Sequence, residues 1–178
     1  MIKDKSDIRR GAKNAVKALS DRQKADKSTL ILSNVAQLEV VERAEVVALY
    51  ASLPDEVQSF ALIEQLSKTK RVVLPRVAGD EMDFYAYDPQ SLKVGAFGIE
   101  EPQGAEVVAP EQIDVIIVPG VAFTEGGKRC GRGKGYYDKY LSREGFRAVK
   151  VGVCYKEQLV EDIPNEPHDI VMDYMIFG

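Results

Sequence analysis

Residues 126–138 read Gly-Gly-Lys-Arg-Cys-Gly-Arg-Gly-Lys-Gly-Tyr-Tyr-Asp, five glycines interleaved with four basic residues. Glycine lets the backbone turn tightly and lets successive N–H groups converge on an anion. Arg129, Arg132 and Lys134 add charge-assisted bonds suited to phosphate oxygens. The pattern points to phosphate binding, and a solvated flexible loop is its competing reading. It is neither of two common nucleotide loops. Lys134 is followed by Gly135 rather than Ser or Thr, and Gly131-x-Gly133-x-Gly135 is not the dinucleotide spacing. Asp138 is of the type that holds Mg²⁺ beside bound phosphate. It equally suits the first turn of a helix, where the dipole favours an acid. Tyr136 and Tyr137 suit either a core or a pocket wall.

Other reactive types are scattered. Lys5 and Arg9 stand four apart and share a helix face, an arrangement most often solvated. Glu56 follows the Leu53-Pro54-Asp55 turn, where α/β sheets carry ligands; Asp55 competes for that role or caps the next segment. Cys130, Cys154 and His168 lack metal-ligand spacing, and both cysteines read as reduced thiols. No Gly-x-Ser-x-Gly accompanies His168-Asp169, so a hydrolase triad is not indicated and His168 reads as structural.

The elements that must position these residues follow from periodicity. Ile8, Ala12, Ala15, Val16 and Leu19 recur at three- and four-residue steps, predicting a helix from Lys3 to Leu19. Ser20 with Gln23 forms a capping box that opens a second helix running to about Leu38. Val46–Tyr50 and Arg71–Pro75 read as buried strands joined by a helix over Ser59–Leu66, a βαβ unit. Residues 79–110 hold a strand near Met82–Tyr87 and then an irregular, substrate-lining stretch. Ile113–Val118, Ala148–Tyr155 and Met172–Phe177 read as further strands, and Gly135–Arg143 as a helix.

The 178 residues fit one domain, 1–178, of three-layer α/β/α architecture around a mostly parallel sheet. The chain is 45 % hydrophobic and 29 % charged, with net charge −4, which argues against a general nucleic-acid or anionic-membrane binder. No leader or membrane-spanning run is visible, so a cytoplasmic protein is expected. No sustained heptad points to a partner helix, so a monomer is expected.

The block Ile113–Phe123 followed by Gly127–Leu141, with its Arg-x-Gly-x-Gly-x-Gly-Tyr-Tyr-Asp core, resembles the 5-formyltetrahydrofolate cyclo-ligase family. The resemblance extends in order through Lys5…Arg9, Tyr50–Glu56, Leu74–Val77, Gly95–Pro102 and Pro167–Asp169. It implies an ATP-dependent, Mg²⁺-using cyclisation of 5-formyltetrahydrofolate to 5,10-methenyltetrahydrofolate. It implies that Lys5, Arg9, Arg129, Gly131, Arg132, Gly133, Lys134, Gly135, Tyr136, Tyr137 and Asp138 hold ATP. Lys134 and Arg132 are then the catalytic cations and Asp138 the metal ligand. Glu56, Tyr50, Phe97, Met82 and Tyr137 would meet the reduced folate, with or without a polyglutamate tail. The family usually has Phe-Asp after the Pro-Gly strand end, where this chain has Phe123-Thr124. Readings outside the resemblance are another ATP-dependent small-molecule ligase and a non-catalytic nucleotide- or RNA-binding module.

Overall fold

Four consecutive apolar residues, Val115-Ile116-Ile117-Val118, are all buried, so the sheet that carries them is covered on both faces. The computed structural model describes residues 3–94, 100–102 and 106–178, with side chains described for 3–90 and 106–178. Its main sheet has seven strands: β1 (Val46–Ala48), β2 (Arg71–Ala78), β3 (Glu81–Ala86), β6 (Val107–Val108), β7 (Val115–Val118), β10 (Val149–Cys154) and β11 (Tyr174–Phe177). The order is β11-β10-β7-β1-β2-β3-β6. The first five are parallel, and β3 and β6 extend the sheet antiparallel. Two small antiparallel pairs, β4 (Leu92–Val94) with β5 (Glu100–Pro102) and β8 (Ala122–Phe123) with β9 (Arg129–Cys130), stand apart from it.

Alternate strand residues feed opposite layers. Val47, Leu49, Val72, Leu74, Val115, Ile117, Val151 and Val153 pack under the helices α2 (Asp21–Gln37), α3 (Glu39–Glu42) and α4 (Phe60–Ser67). Ala48, Val73, Ile116, Val118 and Cys154 pack on the other face with Tyr140 and Leu141 of α5 (Tyr136–Leu141). This is the mostly parallel α/β/α sandwich expected from the sequence. The capping box of α2 is present: Gln23 N donates to Ser20 Oγ (3.1 Å) and Ser20 N donates to Gln23 Oε1 (2.8 Å). Among the described residues no helix is long and apolar enough to cross a membrane.

Helix α1 (Lys5–Lys17) starts from Asp4, whose carboxylate accepts from Asp7 N. Its buried stripe is Ile8, Ala12 and Val16. Ile8 and Ala12 join Val121, Ala122, Cys130 and Ile163 in a satellite core beside the glycine loop. Full burial of a side chain such as Ile8 contributes roughly 1.5–3 kcal/mol, enough to hold the helix that carries Lys5 and Arg9.

Two expectations need correction. The strand beginning at Arg71 does not close at Pro75; β2 runs on to Ala78 and turns at Gly79-Asp80 into β3. Leu49 N donates to Val73 O and Tyr87 N donates to Val72 O, so Val73, and Pro75 two residues on, direct backbone groups to the β1 side. The β1 pairing ends at Ala48 with Val73. The missing Pro75 N–H therefore costs no ladder bond. Among the described residues of 79–110 there is more than the one strand expected: β6 caps the sheet edge and β4 pairs with β5.

Asp114 is the polar exception before β7. Its Oδ2 accepts from Glu45 N (3.0 Å) and Val46 N (2.9 Å), and its Oδ1 accepts from Arg147 NH2 (2.9 Å). It thus ties the starts of β1 and β7 together. Burial alone would raise its pKa; the two N–H bonds and Arg147 outweigh that and hold it below the ordinary carboxylate value. Its stabilisation is therefore present above the unfolded aspartate value of about 3.9 and is lost as pH falls through the lower folded value. Asp114→Ala is expected to cost about 1–3 kcal/mol in urea denaturation at neutral pH, with the deficit shrinking below about pH 4.

Candidate active site

Strand β1 leads through α4 to β2 on one side, and β7 leads through α5 to β10 on the other. The neighbours β1 and β7 are thus a topological switch point, and the residues after both strands leave into one crevice. A cleft of about 510 Å³ lies there, within the size range of small-molecule sites. Its walls come from five places: the turn after β1, the Pro119-Gly120 turn after β7, the β2–β3 hairpin, the glycine loop with the start of α5, and α1 with residues 166–169.

The glycine loop is anchored by its own basic residues. Arg129 Nε donates to Pro119 O (2.7 Å), and its guanidinium lies 5.0 Å from the Tyr137 ring centre. A Cβ on Gly131 would stand 3.0 Å from Arg129 NH1, so glycine there leaves room for the half-buried cation to lie along the backbone. Burial disfavours the charged form of Arg129 and lowers its pKa; Asp138 is foremost among the groups that offset this. Arg9 Nε donates to Gly131 O (2.7 Å), which ties α1 to the loop. Gly135, with φ 73°, is the residue before α5, a left-handed conformation that a side chain would strain.

The opposite wall is built around Glu56, which is buried. Glu56 N donates to Leu53 O (3.0 Å), and Glu56 Oε1 accepts from Leu53 N (2.8 Å), so the carboxylate braces its own turn. Tyr155 OH donates to Glu56 O (3.0 Å), and Tyr50 OH donates to Val57 O (2.6 Å). Burial pushes the Glu56 pKa up, partly offset by the Leu53 N–H and Arg132. Burial, reinforced by the Glu56 charge, also raises the Tyr50 and Tyr137 phenols above their ordinary value. Gln158, buried, donates to Gly120 O (2.8 Å) and Val121 O (3.0 Å) and fixes the turn that leaves β7.

The cations of the cleft differ in availability. Lys5 Nζ is bonded to Asp169 Oδ2 (2.6 Å), and Arg132 to Asp55 (NH2 to Oδ1, 2.5 Å). Arg9 and Arg129 are bonded to backbone carbonyls. Lys134 is exposed and makes no hydrogen bond or ion pair among the described residues. An arriving anion can engage it without displacing a protein partner.

A model of the 5-formyltetrahydrofolate cyclo-ligase family matches residues 1–178. The chain belongs to that family. It is 33 % identical to the probable 5-formyltetrahydrofolate cyclo-ligase of Schizosaccharomyces pombe, covering 97 % of this chain and 94 % of that protein. It is also 33 % identical to the Escherichia coli K12 5-formyltetrahydrofolate cyclo-ligase, over 90 % of this chain and 92 % of the relative. The NMR structure of the Aquifex aeolicus 5,10-methenyltetrahydrofolate synthetase superposes with a TM-score of 0.88 at 39 % identity, covering 97 % of this chain and 89 % of that one.

For this cyclo-ligase family member the cleft gathers residues singled out from the sequence. Lys5, Arg9, Arg129, the run Gly131–Asp138, Tyr50, Glu56 and Met82 all line it. Phe97 lies outside the described residues. Tyr50 offers the cleft its ring rather than a free hydroxyl, since that group is committed to Val57. Thr124 does not line the cleft. Its Oγ1 accepts from Lys128 N (3.0 Å) and stabilises the β8–β9 turn, a bond that the usual family aspartate is also able to accept.

The sequence reading missed the wall formed by Glu166, His168 and Asp169. Burial alone would raise the Asp169 pKa; bonds from Lys5 and Glu166 N outweigh it and hold the carboxylate below its ordinary range. The signal was Pro167-His168-Asp169, a segment of the family resemblance to which no site role was attached and whose His168 reads as structural.

Proposed function

We propose that residues 1–178 act as one catalytic domain, a cytoplasmic monomer, that uses ATP to cyclise 5-formyltetrahydrofolate to 5,10-methenyltetrahydrofolate. One observation carries this reading: a family member's phosphate-type loop and a buried carboxylate face the same cleft. The cationic end suits a triphosphate, with Lys5, Arg9, Arg129, Arg132 and Lys134 around it. The apolar end, with Tyr50, Leu53, Val77, Met82 and Tyr137, suits a flat pterin, and Glu56 accepts from its N–H groups.

The formyl oxygen attacks the γ-phosphoryl group and ADP leaves, giving a phosphorylated, imidate-like carbon. N10 then attacks that carbon and gives up its proton. Inorganic phosphate departs with the original formyl oxygen and the methenyl bridge remains. The amide oxygen carries no proton, so the first step needs no general base. The protein holds the two reactants in line and stabilises charge on the transferred phosphoryl group. Lys134, unpaired among the described residues, is the side chain assigned to that charge, and Arg132 assists it.

Asp138 lines the cleft beside the glycine loop and is the oxygen donor of the type that suits Mg²⁺. When bound there the ion would neutralise phosphate charge. A reduced folate with a glutamate tail fits the same reading.

The test is the rise of methenyl-folate absorbance with purified protein, 5-formyltetrahydrofolate and Mg-ATP, against controls lacking ATP or Mg²⁺. A rise requiring both supports the assignment. Folded protein that binds ATP yet yields no product would overturn it in favour of a ligase acting on another small molecule.

A further inference from the structure

A charged link joins the two walls of the cleft. Arg132 of the glycine loop forks onto Asp55 in the turn after β1, with NH1 to Oδ2 at 3.2 Å and NH2 to Oδ1 at 2.5 Å. The same NH2 lies 3.7 Å from Glu56 Oε2. Glu56 Oε1 is taken by Leu53 N, so Oε2 is the oxygen left for another partner. One guanidinium therefore serves two carboxylates. Asp55 itself does not line the cleft and acts on it through Arg132.

We propose that Asp55 is a positioning residue that latches Arg132 against Glu56, so that a ligand taking over Glu56 releases Arg132 to the phosphates of a nucleotide. This rests on the cyclo-ligase reading above. A nucleotide arriving alone must draw Arg132 away and leave a buried carboxylate without its cation, which is costly. A folate whose N–H groups already occupy Glu56 Oε2 removes that cost. The two ligands then tighten each other, and by linkage the effect is reciprocal. Asp55 sets the depth of the latch, because its bidentate bond holds the guanidinium when phosphate is absent.

The experiment titrates wild type and Asp55→Asn with a non-hydrolysable ATP analogue and Mg²⁺, with and without saturating 5-formyltetrahydrofolate. Wild type is expected to bind the analogue about tenfold more tightly when folate is present. Asp55→Asn should bind it about three- to tenfold more tightly than wild type without folate. Its gain from folate should shrink to about twofold. Asp55→Glu keeps the carboxylate and should keep most of the coupling; a merely structural role for Asp55 would leave the coupling ratio unmoved. If wild type gains from folate and Asp55→Asn gains equally, the latch is overturned while the cyclo-ligase reading stands. Weaker binding by Asp55→Asn overturns it too, since Asp55 would then be presenting Arg132 rather than withholding it. A wild type that takes up no nucleotide overturns the proposed function and the latch together.

Discussion

Lys134→Ala is expected to lower kcat/KM for 5-formyltetrahydrofolate cyclisation about 10²-fold, most of it in kcat, the scale for removing one donor from a developing oxyanion. The other cleft cations each have a protein partner: Lys5 on Asp169, Arg132 on Asp55, Arg9 and Arg129 on backbone carbonyls. Lys134 has none among the described residues and stands between two loop glycines, Gly133 with φ 108° and Gly135 with φ 73°. Its charge is thus uncommitted before substrate arrives. Because it is exposed and unpaired, its loss should change stability by less than about 0.5 kcal/mol. Initial rates over a range of ATP concentrations, with thermal melts alongside, test this. Lys134→Arg should restore part of kcat, since charge is kept while geometry changes. A variant with unchanged kcat and only a raised KM for ATP would mean that Lys134 contributes equally to ground and transition states, and its catalytic assignment would fail.

The cationic half of the cleft was legible because its chemistry is local. Residues 126–138 carry their meaning in consecutive glycines and bases, and the Ser20–Gln23 cap likewise depends on a four-residue span. What escaped depends on long-range packing. Asp169 lies 164 residues from Lys5, and no periodicity in the loop around it tells that it returns to α1. Pro75 breaks a strand by local rule, yet β2 passes through it because β1 stops at Ala48 and an N–H at position 75 would have had no ladder partner. The two residues of β6 are too few to signal a strand, and their pairing to Phe84 and Tyr85 is what makes them one. Asp55 was legible as a turn residue, but its bond to Arg132 spans 77 positions and belongs to the folded chain.

Glu56→Gln is expected to raise KM for 5-formyltetrahydrofolate about 10- to 100-fold, the scale for losing a charge-assisted hydrogen bond in a buried site. Leu53 N fixes which end of the side chain is the acceptor, at Oε1. A glutamine bound the same way must keep its carbonyl there and present its NH2 group where Oε2 now stands. The ligand's N–H groups would then meet a donor instead of an acceptor. Stability should move the other way. Burial raises the Glu56 pKa, and the Leu53 N–H and Arg132 offset it only in part. The folded chain therefore keeps this proton to higher pH than the unfolded chain, which releases it near about 4.3. Stability falls as pH rises from there through the folded value, and the full cost persists above it. Glutamine carries no such titration. Urea denaturation should find wild type and Glu56→Gln alike near about pH 4 and the variant more stable at about pH 8. A variant less stable at the higher pH would mean that Arg132 and Asp55 already offset the burial of this carboxylate, while an unchanged KM would place the folate contact elsewhere in the cleft.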